Sequence, residues 1–324
     1  MLITAVVTTY NRFELAKRAI NSLLNQSHAD IEIIVVEDGS NTGLDKWVQT
    51  KHAGNIKYHK NGINKGLSAS RNWAIDNSKG SYIGFLDDDD EWKPDMVKET
   101  VNTIKTLSKQ QLDKTGAISS GTELKKNNEI VAFGYQKNYG ELEESIKTSG
   151  AFTLSSSSIY SVSALKKIGK FDEKLKSSID HDIWMALASK GFYVEPINRP
   201  LVVTHIAQRT RLTTNPHYRL NSLELYLNKW LPTYQVWFGH RKGITYANQY
   251  FAKVASNLAV SKCLSGQFGY STSVTKTLFK KNPNFLQNTK YLIEAFIRET
   301  IFTKLPPMLI RSLRIALKKR QGTY

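Results

Sequence analysis

Gly80-Ser-Tyr-Ile-Gly-Phe-Leu-Asp-Asp-Asp-Asp-Glu-Trp-Lys-Pro-Asp95 carries an apolar run straight into a block of acids. Tyr82, Ile83, Phe85 and Leu86 predict a buried strand. Asp87, Asp88, Asp89, Asp90 and Glu91 follow at its carboxyl end, and Pro94 suits the first turn of a helix. Five neighbouring carboxylates repel one another unless a cation shares them. An isolated acidic run is most often a solvated loop. Here the strand in front and the helix behind place the acids where open α/β sheets bind ligands. The stretch therefore reads as a divalent-metal site that holds a phosphorylated ligand.

Working outward, the same alternation recurs on both sides. Leu2 to Thr8 is a buried strand, and Asn11 is placed to cap a helix with Leu15, Ala19, Ile20, Leu23 and Leu24 on one face. Ile31 to Val36 is a second strand, ending in Glu37-Asp-Gly-Ser40, and a short helix with Leu44, Trp47 and Val48 follows. A weak strand at Ile56 to His59 and a helix with Leu67, Trp73 and Ala74 lead back to Tyr82. Short strands alternating with amphipathic helices mean an α/β, doubly wound, mostly parallel sheet of Rossmann-like type. Beyond it, Pro94 to Leu107 reads as a helix, 115–160 as strand-like and irregular, and 109–114 and 123–129 as exposed loops. Ser161 caps a helix ending near Gly169, Asp180 to Leu187 is helical, and Phe192 to Val194 and Leu201 to His205 are separate late strands.

From Tyr218 onward the pattern is helical. Leu220, Leu223, Leu227 and Trp230 share a face, as do Phe251, Val254, Ala255, Leu258 and Ala259, with breaks at Gly239 to Gly243 and Asn282 to Asn284. Charge divides at the same place. The 324 residues carry a net +17, but 1–217 hold 28 Lys and Arg against 25 Asp and Glu, whereas 218–324 hold 17 against 3. The expected organisation is thus a catalytic domain over 1–217 and a basic helical region over 218–324 that docks on a membrane surface, binds acceptor or oligomerises. Cys263 is the sole cysteine, which excludes an internal disulfide and a cysteine-rich zinc site. The N-terminus lacks the basic and apolar regions of a signal peptide, and no run approaches the roughly 20 apolar residues of a spanning helix. The expected location is the cytoplasm, peripherally on the inner face of its membrane.

Four clusters fall at carboxyl ends of successive predicted strands: Thr8-Thr-Tyr-Asn11, Glu37-Asp-Gly-Ser40, Lys65 with Arg71, and Asp87 to Asp90. These ends share one edge of a parallel sheet, so the clusters converge. An Asp in the second cluster can accept a hydrogen bond from the imide N–H of a pyrimidine, and Tyr10 offers a ring for stacking. Lys65 or Arg71 can neutralise a diphosphate that acids hold through a metal from the other side. Taken singly each has a plain structural reading: Asp38-Gly-Ser40 is a common turn and Arg71 a common surface charge.

In this order, Val-Thr-Thr-Tyr-Asn-Arg, Val-Glu-Asp-Gly-Ser, Asn-Lys-Gly-Leu-Ser-Ala-Ser-Arg-Asn and Phe-Leu-Asp-Asp-Asp-Asp-Glu-Trp-Lys-Pro-Asp resemble family 2 of the inverting nucleotide-sugar glycosyltransferases, of GT-A fold, over residues 1 to about 213. The resemblance implies a nucleotide-diphosphate sugar donor, commonly UDP-linked, a Mn²⁺ or Mg²⁺ ion, and transfer to a hydroxyl with inversion. It matches Thr8 and Tyr10 to the base-contacting strand end, Asp38 to the uracil-reading Asp, and Arg71 to the basic residue near the diphosphate. Asp87 and Asp89 fall on the Asp-x-Asp pair, with Asp88 near the ribose and Asp89 first for metal contact. Gly169-Lys-Phe-Asp-Glu173 and Ser178-Ile-Asp-His-Asp-Ile-Trp184 match segments that place the general base at Asp180. Ile179 stands where the family has Glu, which keeps Asp182 in play as the base. His205 offers a third metal contact, as in some relatives, and its plain reading is a strand-end histidine bonded to backbone.

Gln208-Arg-Thr-Arg-Leu212 has Leu where processive polymerases of the family carry Trp, which favours transfer of single sugars; Arg209 and Arg211 are candidates to close over an anionic ligand. The expected acceptor is a glycan or lipid-linked glycan of cell-surface polysaccharide synthesis. Pro306 to Arg320 reads equally as a packing helix or a basic amphipathic segment, and with it 304–324 as a contact for an anionic membrane. The C-terminal helices are also candidates for homo-oligomer contacts. Two rivals stand beside the transferase. A sugar-nucleotide pyrophosphorylase needs a Gly-rich phosphate loop near the N-terminus, which Thr8 to Asn11 does not supply. A nucleic-acid-binding protein would use the basic last third with Tyr226, Trp230, Trp237, Tyr246 and Tyr250 for stacking, yet at helical spacing these are core residues. No nucleic-acid partner is expected.

Overall fold

The computed structural model describes residues 1–136, 138–150, 152–205, 216–304 and 309, which form two compact units. The first comprises Met1–Glu173 and Ile179–Arg209, and the second Lys174–Ser178 with Thr210–Tyr324.

The first unit begins with β1 (Ile3–Thr9), α1 (Phe13–Leu24), β2 (Ile31–Asp38), α2 (Leu44–His52), β3 (Ile56–Asn61), α3 (Leu67–Asn77) and β4 (Tyr82–Asp87). These strands are parallel in the order β3, β2, β1, β4. The side chains of β1, β2 and β4 are mostly buried, because helices cover both faces of a parallel sheet, whereas edge strand β3 buries only Ile56 and Asn61. Ala16, Ala19, Ile20 and Leu23 turn one stripe of α1 into this core. Asn11 does not cap that helix: it adopts a left-handed φ of 55°, and Arg12 takes the cap position without a side-chain cap.

The unit continues through β5 (Asp90–Trp92), α4 (Met96–Thr106), α5 (Lys109–Lys114), β6 (Thr115–Lys126), β7 (Glu129–Gly134), β8 (Gly140–Glu141), α6 (Leu142–Ser149), β9 (Ser158–Ser161), α7 (Val162–Lys167), α8 (Ile179–Ala188) and β10 (Tyr193–His205). The main sheet runs β3-β2-β1-β4-β9-β6-β10-β5. Among these strands only β9 and β5 oppose the others, so the sheet is mostly parallel, as the alternation predicts. Gly84 has no room for a Cβ, which would meet the Trp92 ring at 2.5 Å. That close approach lets Trp92 pack on β4 and donate its indole N–H to the Ser156 carbonyl at 2.7 Å.

Several local expectations are corrected. Residues 109–114 are helix α5, started by a reciprocal capping box between Ser108 and Gln111 rather than a loop. Residues 123–129 are the tip of the β6–β7 hairpin, turned by Asn127 and Asn128 at φ 50° and 64°. The two late strands are one strand, β10, whose register shifts at Ile197 to Val202 around Pro200 hid its continuity. Pro94 precedes α4 instead of lying in its first turn, and α6 was not anticipated.

The second unit contains α9 (Pro216–Phe238), α10 (His240–Leu264), α11 (Phe268–Lys281) and α12 (Phe285–Lys304). Leu220, Leu223, Leu227 and Trp230 are buried, as are Phe251, Ala255, Leu258 and Ala259. Tyr226 and Tyr234 are also fully buried and share a hydroxyl hydrogen bond of 2.9 Å, so Tyr226 and Trp230 are core, not a stacking surface. The expected break over Gly239 to Gly243 is confined to Gly239, since Gly243 lies inside α10. Arg209, Arg211, the rest of Gln208 to Leu212, and 305–324 apart from 309 lie outside the described residues.

Candidate active site

The parallel register brings the strand ends together. Thr8 pairs with Asp87 across β1 and β4, Thr9 with Glu37 across β1 and β2, and Asp38 with Asn61 across β2 and β3. Thr9 Oγ1 donates to Asp88 at 2.8 Å, and Arg12 Nη1 donates to the other oxygen of the same carboxylate at 2.8 Å. Asp88 is thus buried and braces the β1–α1 turn against the acidic block; its burial raises its pKa against the pull of Arg12 and Thr9. Tyr10, on the same turn, keeps 38 % of its surface exposed.

Asp38 is buried and organises the next loop. It accepts from Asn61 Nδ2 and from the backbone N–H groups of Lys65 and Gly66, each at 2.8 Å. A carboxylate has about four acceptor positions, so one remains for a further donor. The Lys65 side chain is exposed on this pinned loop. Gly39 makes the approach feasible: it sits at φ 73°, and a Cβ there would lie 2.2 Å from the Asn64 nitrogen. Glu37 points the other way, into bonds from Ser40, Thr42 and Tyr58; these bonds hold its pKa below the ordinary value although burial pushes it up.

Arg71 joins clusters that are far apart in sequence. Its side chain is 1 % exposed, with Nη2 donating to Asp87 and Nη1 to Asp180, both at 2.9 Å. The guanidinium carbon lies 5.3 Å from the ring centroids of Phe85 and Phe171. Burial opposes the charge, but Asp180 and Asp87 outweigh it and raise the pKa. Asn72 holds one of these rings in place: its amide donates to the Phe171 carbonyl and its oxygen accepts the Phe171 N–H, both at 2.9 Å. Asn72 also donates to Glu173, which links Ser-Arg-Asn72 to Gly-Lys-Phe-Asp-Glu173.

The acidic block itself reverses direction at Asp88 and Asp89 before β5 begins. This brings carboxylate oxygens of Asp87, Asp89 and Asp90 within 4.8 Å of one another. Asp87 retains 42 % side-chain exposure, yet surrounding protein desolvates it. Desolvation, with like charge from Asp180, Asp89 and Asp88, outweighs Arg71 and pushes its pKa up to about 6. Closely placed oxygens with a carboxyl pushed up by like charge suit a hard divalent cation such as Mn²⁺ or Mg²⁺. Arg18 donates to the Asp89 carbonyl at 2.8 Å and fixes the turn. Asp90 was not singled out as a ligand, because a run of four acids does not say where the chain turns. His205 is not in this cluster. Thr204 pairs with Asp90 and Val203 with Glu91, so His205 lies diagonally across from Glu91 and its Nε2 approaches that carboxylate to 2.6 Å.

Of the two candidate bases, Asp180 occupies the first turn of α8 with 36 % side-chain exposure, whereas Asp182 is 2 % exposed. Ile179, which stands where the resembled family has Glu, is buried. Asp180 therefore has an open side toward solvent and Asp182 does not.

A mostly parallel sheet with an acidic strand end, a carboxylate on α8 and a buried Arg bridging the two gives a GT-A type α/β protein. The model of glycosyl transferase family 2 matches residues 4–169, and the chain belongs to that family. An uncharacterized glycosyltransferase of Rickettsia typhi is 29% identical over 240 residues, 71% of this chain and 70% of that protein. WcaA of Escherichia coli, a putative colanic acid biosynthesis glycosyl transferase, is 40% identical over 113 residues, covering 34% of this chain and 39% of WcaA. Staphylococcus aureus TarS 1-349 in complex with UDP-GlcNAc has the same fold, with a TM-score of 0.59 at 18% identity over 100% of this chain and 93% of that one. The mannosyltransferase PcManGT of Pyrobaculum calidifontis, in complex with GDP-Man and Mn2+, gives a TM-score of 0.54 at 16% identity over 91% and 86%.

Proposed function

We propose that this glycosyltransferase moves a single sugar, with inversion, from a UDP-linked sugar to a hydroxyl of a glycan or lipid-linked glycan in cell-surface polysaccharide synthesis. One observation carries the reading: Asp180 and the acidic strand end at Asp87 are held on the same buried guanidinium, 2.9 Å from each. The base and the donor-holding acids therefore face one another across a distance set by Arg71. Support for the donor comes from TarS, solved with UDP-GlcNAc, and for the metal from PcManGT, solved with Mn2+. WcaA supports the polysaccharide setting.

In this reading Tyr10 and Thr8 flank the base of the nucleotide, Asp38 accepts from its imide through the remaining lone pair, and exposed Lys65 meets the diphosphate. Asp89, Asp87 and Asp90 hold the ion, which when bound neutralises charge on the departing diphosphate. Asp180 accepts the acceptor hydroxyl's proton as its oxygen bonds to the anomeric carbon, and the bond from that carbon to the diphosphate oxygen breaks on the opposite side. Arg71, enclosed between two carboxylates and two rings, positions Asp180 and Asp87 instead of gripping the diphosphate. Asp88 acts as a brace for the turn, short of the ribose contact expected of it. Peripheral attachment to the inner face of the cytoplasmic membrane through 304–324 belongs to the same reading.

The test is a panel of nucleotide sugars incubated with Mn²⁺ or Mg²⁺. Slow release of UDP from one UDP-sugar, abolished by chelator, is expected. Absence of binding and of hydrolysis across the panel would overturn the proposal.

A further inference from the structure

Within the helical unit, α12 buries one side and leaves the other bare. Asn288 and Ala295 are at most 1 % exposed, while Phe285, Leu286, Ile293, Phe296 and Ile297 are 66, 81, 54, 52 and 51 % exposed. At about 100° per residue these five lie within one arc of about 120°, and the buried pair lies outside it. Lys290 borders the arc with its side chain 72 % exposed and pairs with Glu294, while Arg298, 44 % exposed and beside Glu299, lies about 100° farther round the helix. The helix itself is therefore close to neutral, but its surroundings are not. Residues 218–324 carry 17 basic against 3 acidic side chains, and the sequence after α12 adds Arg311, Arg314, Lys318, Lys319 and Arg320 without an acid.

We propose that this face of α12 docks on the surface of an anionic lipid bilayer. Charge decides between occupants. A second copy of the chain would bring two strongly basic surfaces together, whereas anionic headgroups neutralise them while the acyl boundary receives the phenyl and aliphatic side chains. Neither signal suffices alone, since shallow apolar insertion and polybasic attraction are each weak, and together they hold. None of the described helices is long and apolar enough to cross a membrane, so α12 lies on the surface. This inference extends the membrane reading of 304–324 from a basic tail to a defined apolar face, and it does not depend on which sugar is transferred.

The test is co-sedimentation of the full chain with vesicles of phosphatidylcholine alone or mixed with phosphatidylglycerol. The wild-type chain should bind the mixed vesicles and not the neutral ones. A chain carrying Ile293→Ser, Phe296→Ser and Ile297→Ser should bind at least about tenfold more weakly. Its helical circular dichroism and its nucleotide-sugar hydrolysis should remain those of the wild type, which separates failure of docking from misfolding and from failure of the transferase reading. The inference is overturned if the variant binds as tightly as the wild type, which would assign attachment to 305–324 alone. It is equally overturned if the wild type ignores anionic vesicles, or if sedimentation velocity reveals self-association that the variant abolishes.

Discussion

Arg71 shows how little a single residue's identity says before its neighbours are known. From sequence it was a surface charge or a diphosphate contact; in the fold it is a fully buried cation whose two ends fix Asp87 and Asp180. A lysine keeps the charge but cannot reach two carboxylates with a planar fork. Arg71→Lys should therefore lower kcat strongly while leaving KM for the donor within a few-fold, as steady-state kinetics would show. An unchanged kcat would remove the positioning role. Asp180→Asn should reduce transfer by about 10²–10⁴-fold, the usual worth of a general base, yet preserve donor affinity in calorimetry. Asp89→Ala should weaken metal-dependent donor binding, and titration with and without Mn²⁺ would detect it. Asp38, Asp87 and Asp180 were legible because each belongs to a recognisable run. Arg12, Arg18 and Asp90 were not, since the first two act through the acidic block about 70 residues later and Asp90 depends on a turn inside it.

Among the elements, the turn after β2 is where the backbone has least freedom. Gly39 combines a φ of 73° with a Cβ position 2.2 Å from the Asn64 nitrogen. Gly39→Ala should cost about 1–3 kcal/mol, seen as a lower urea midpoint, and should release the Lys65 loop from Asp38. Glu37, one residue before that carboxylate, gives the turn a pH dependence. Folding lowers its pKa, so its contribution to stability is complete above the ordinary carboxylate range and lost as pH falls through and below it. Urea melts of wild type and Glu37→Gln should thus differ most near neutral pH and converge as pH falls below the ordinary carboxylate range. A gap that stays constant with pH would contradict this. Elements with strong periodicity, such as α1 and β4, were legible from sequence. Polar α5 was not, because a capping box and not an apolar stripe starts it, and β10 was split in two because Pro200 interrupts its ladder.

For the whole molecule, ligand and metal should act as one. If Asp87, Asp89 and Asp90 share a cation that the donor diphosphate completes, then UDP with Mn²⁺ at about 100 times its Kd adds roughly 2.7 kcal/mol of stability. The melting temperature should rise by several degrees, with chelator cancelling the gain and neither component alone matching it. An equal rise from UDP in the presence of chelator would count against a shared site. The sequence by itself determined the alternation of strands and helices, the mostly parallel sheet, the convergence of Thr8, Asp38 and Asp87 on one edge, and the change to basic helices near Tyr218. Local periodicity and strand direction encode these features, and both are readable within a few turns of chain. Only the tertiary structure decided that Asp180 is open while Asp182 is buried, that His205 faces Glu91, and that Arg71 is interior. Each of those outcomes depends on which side chains separated by 16 to 114 residues are pressed together. Burial, not residue type, then sets what their charges can do.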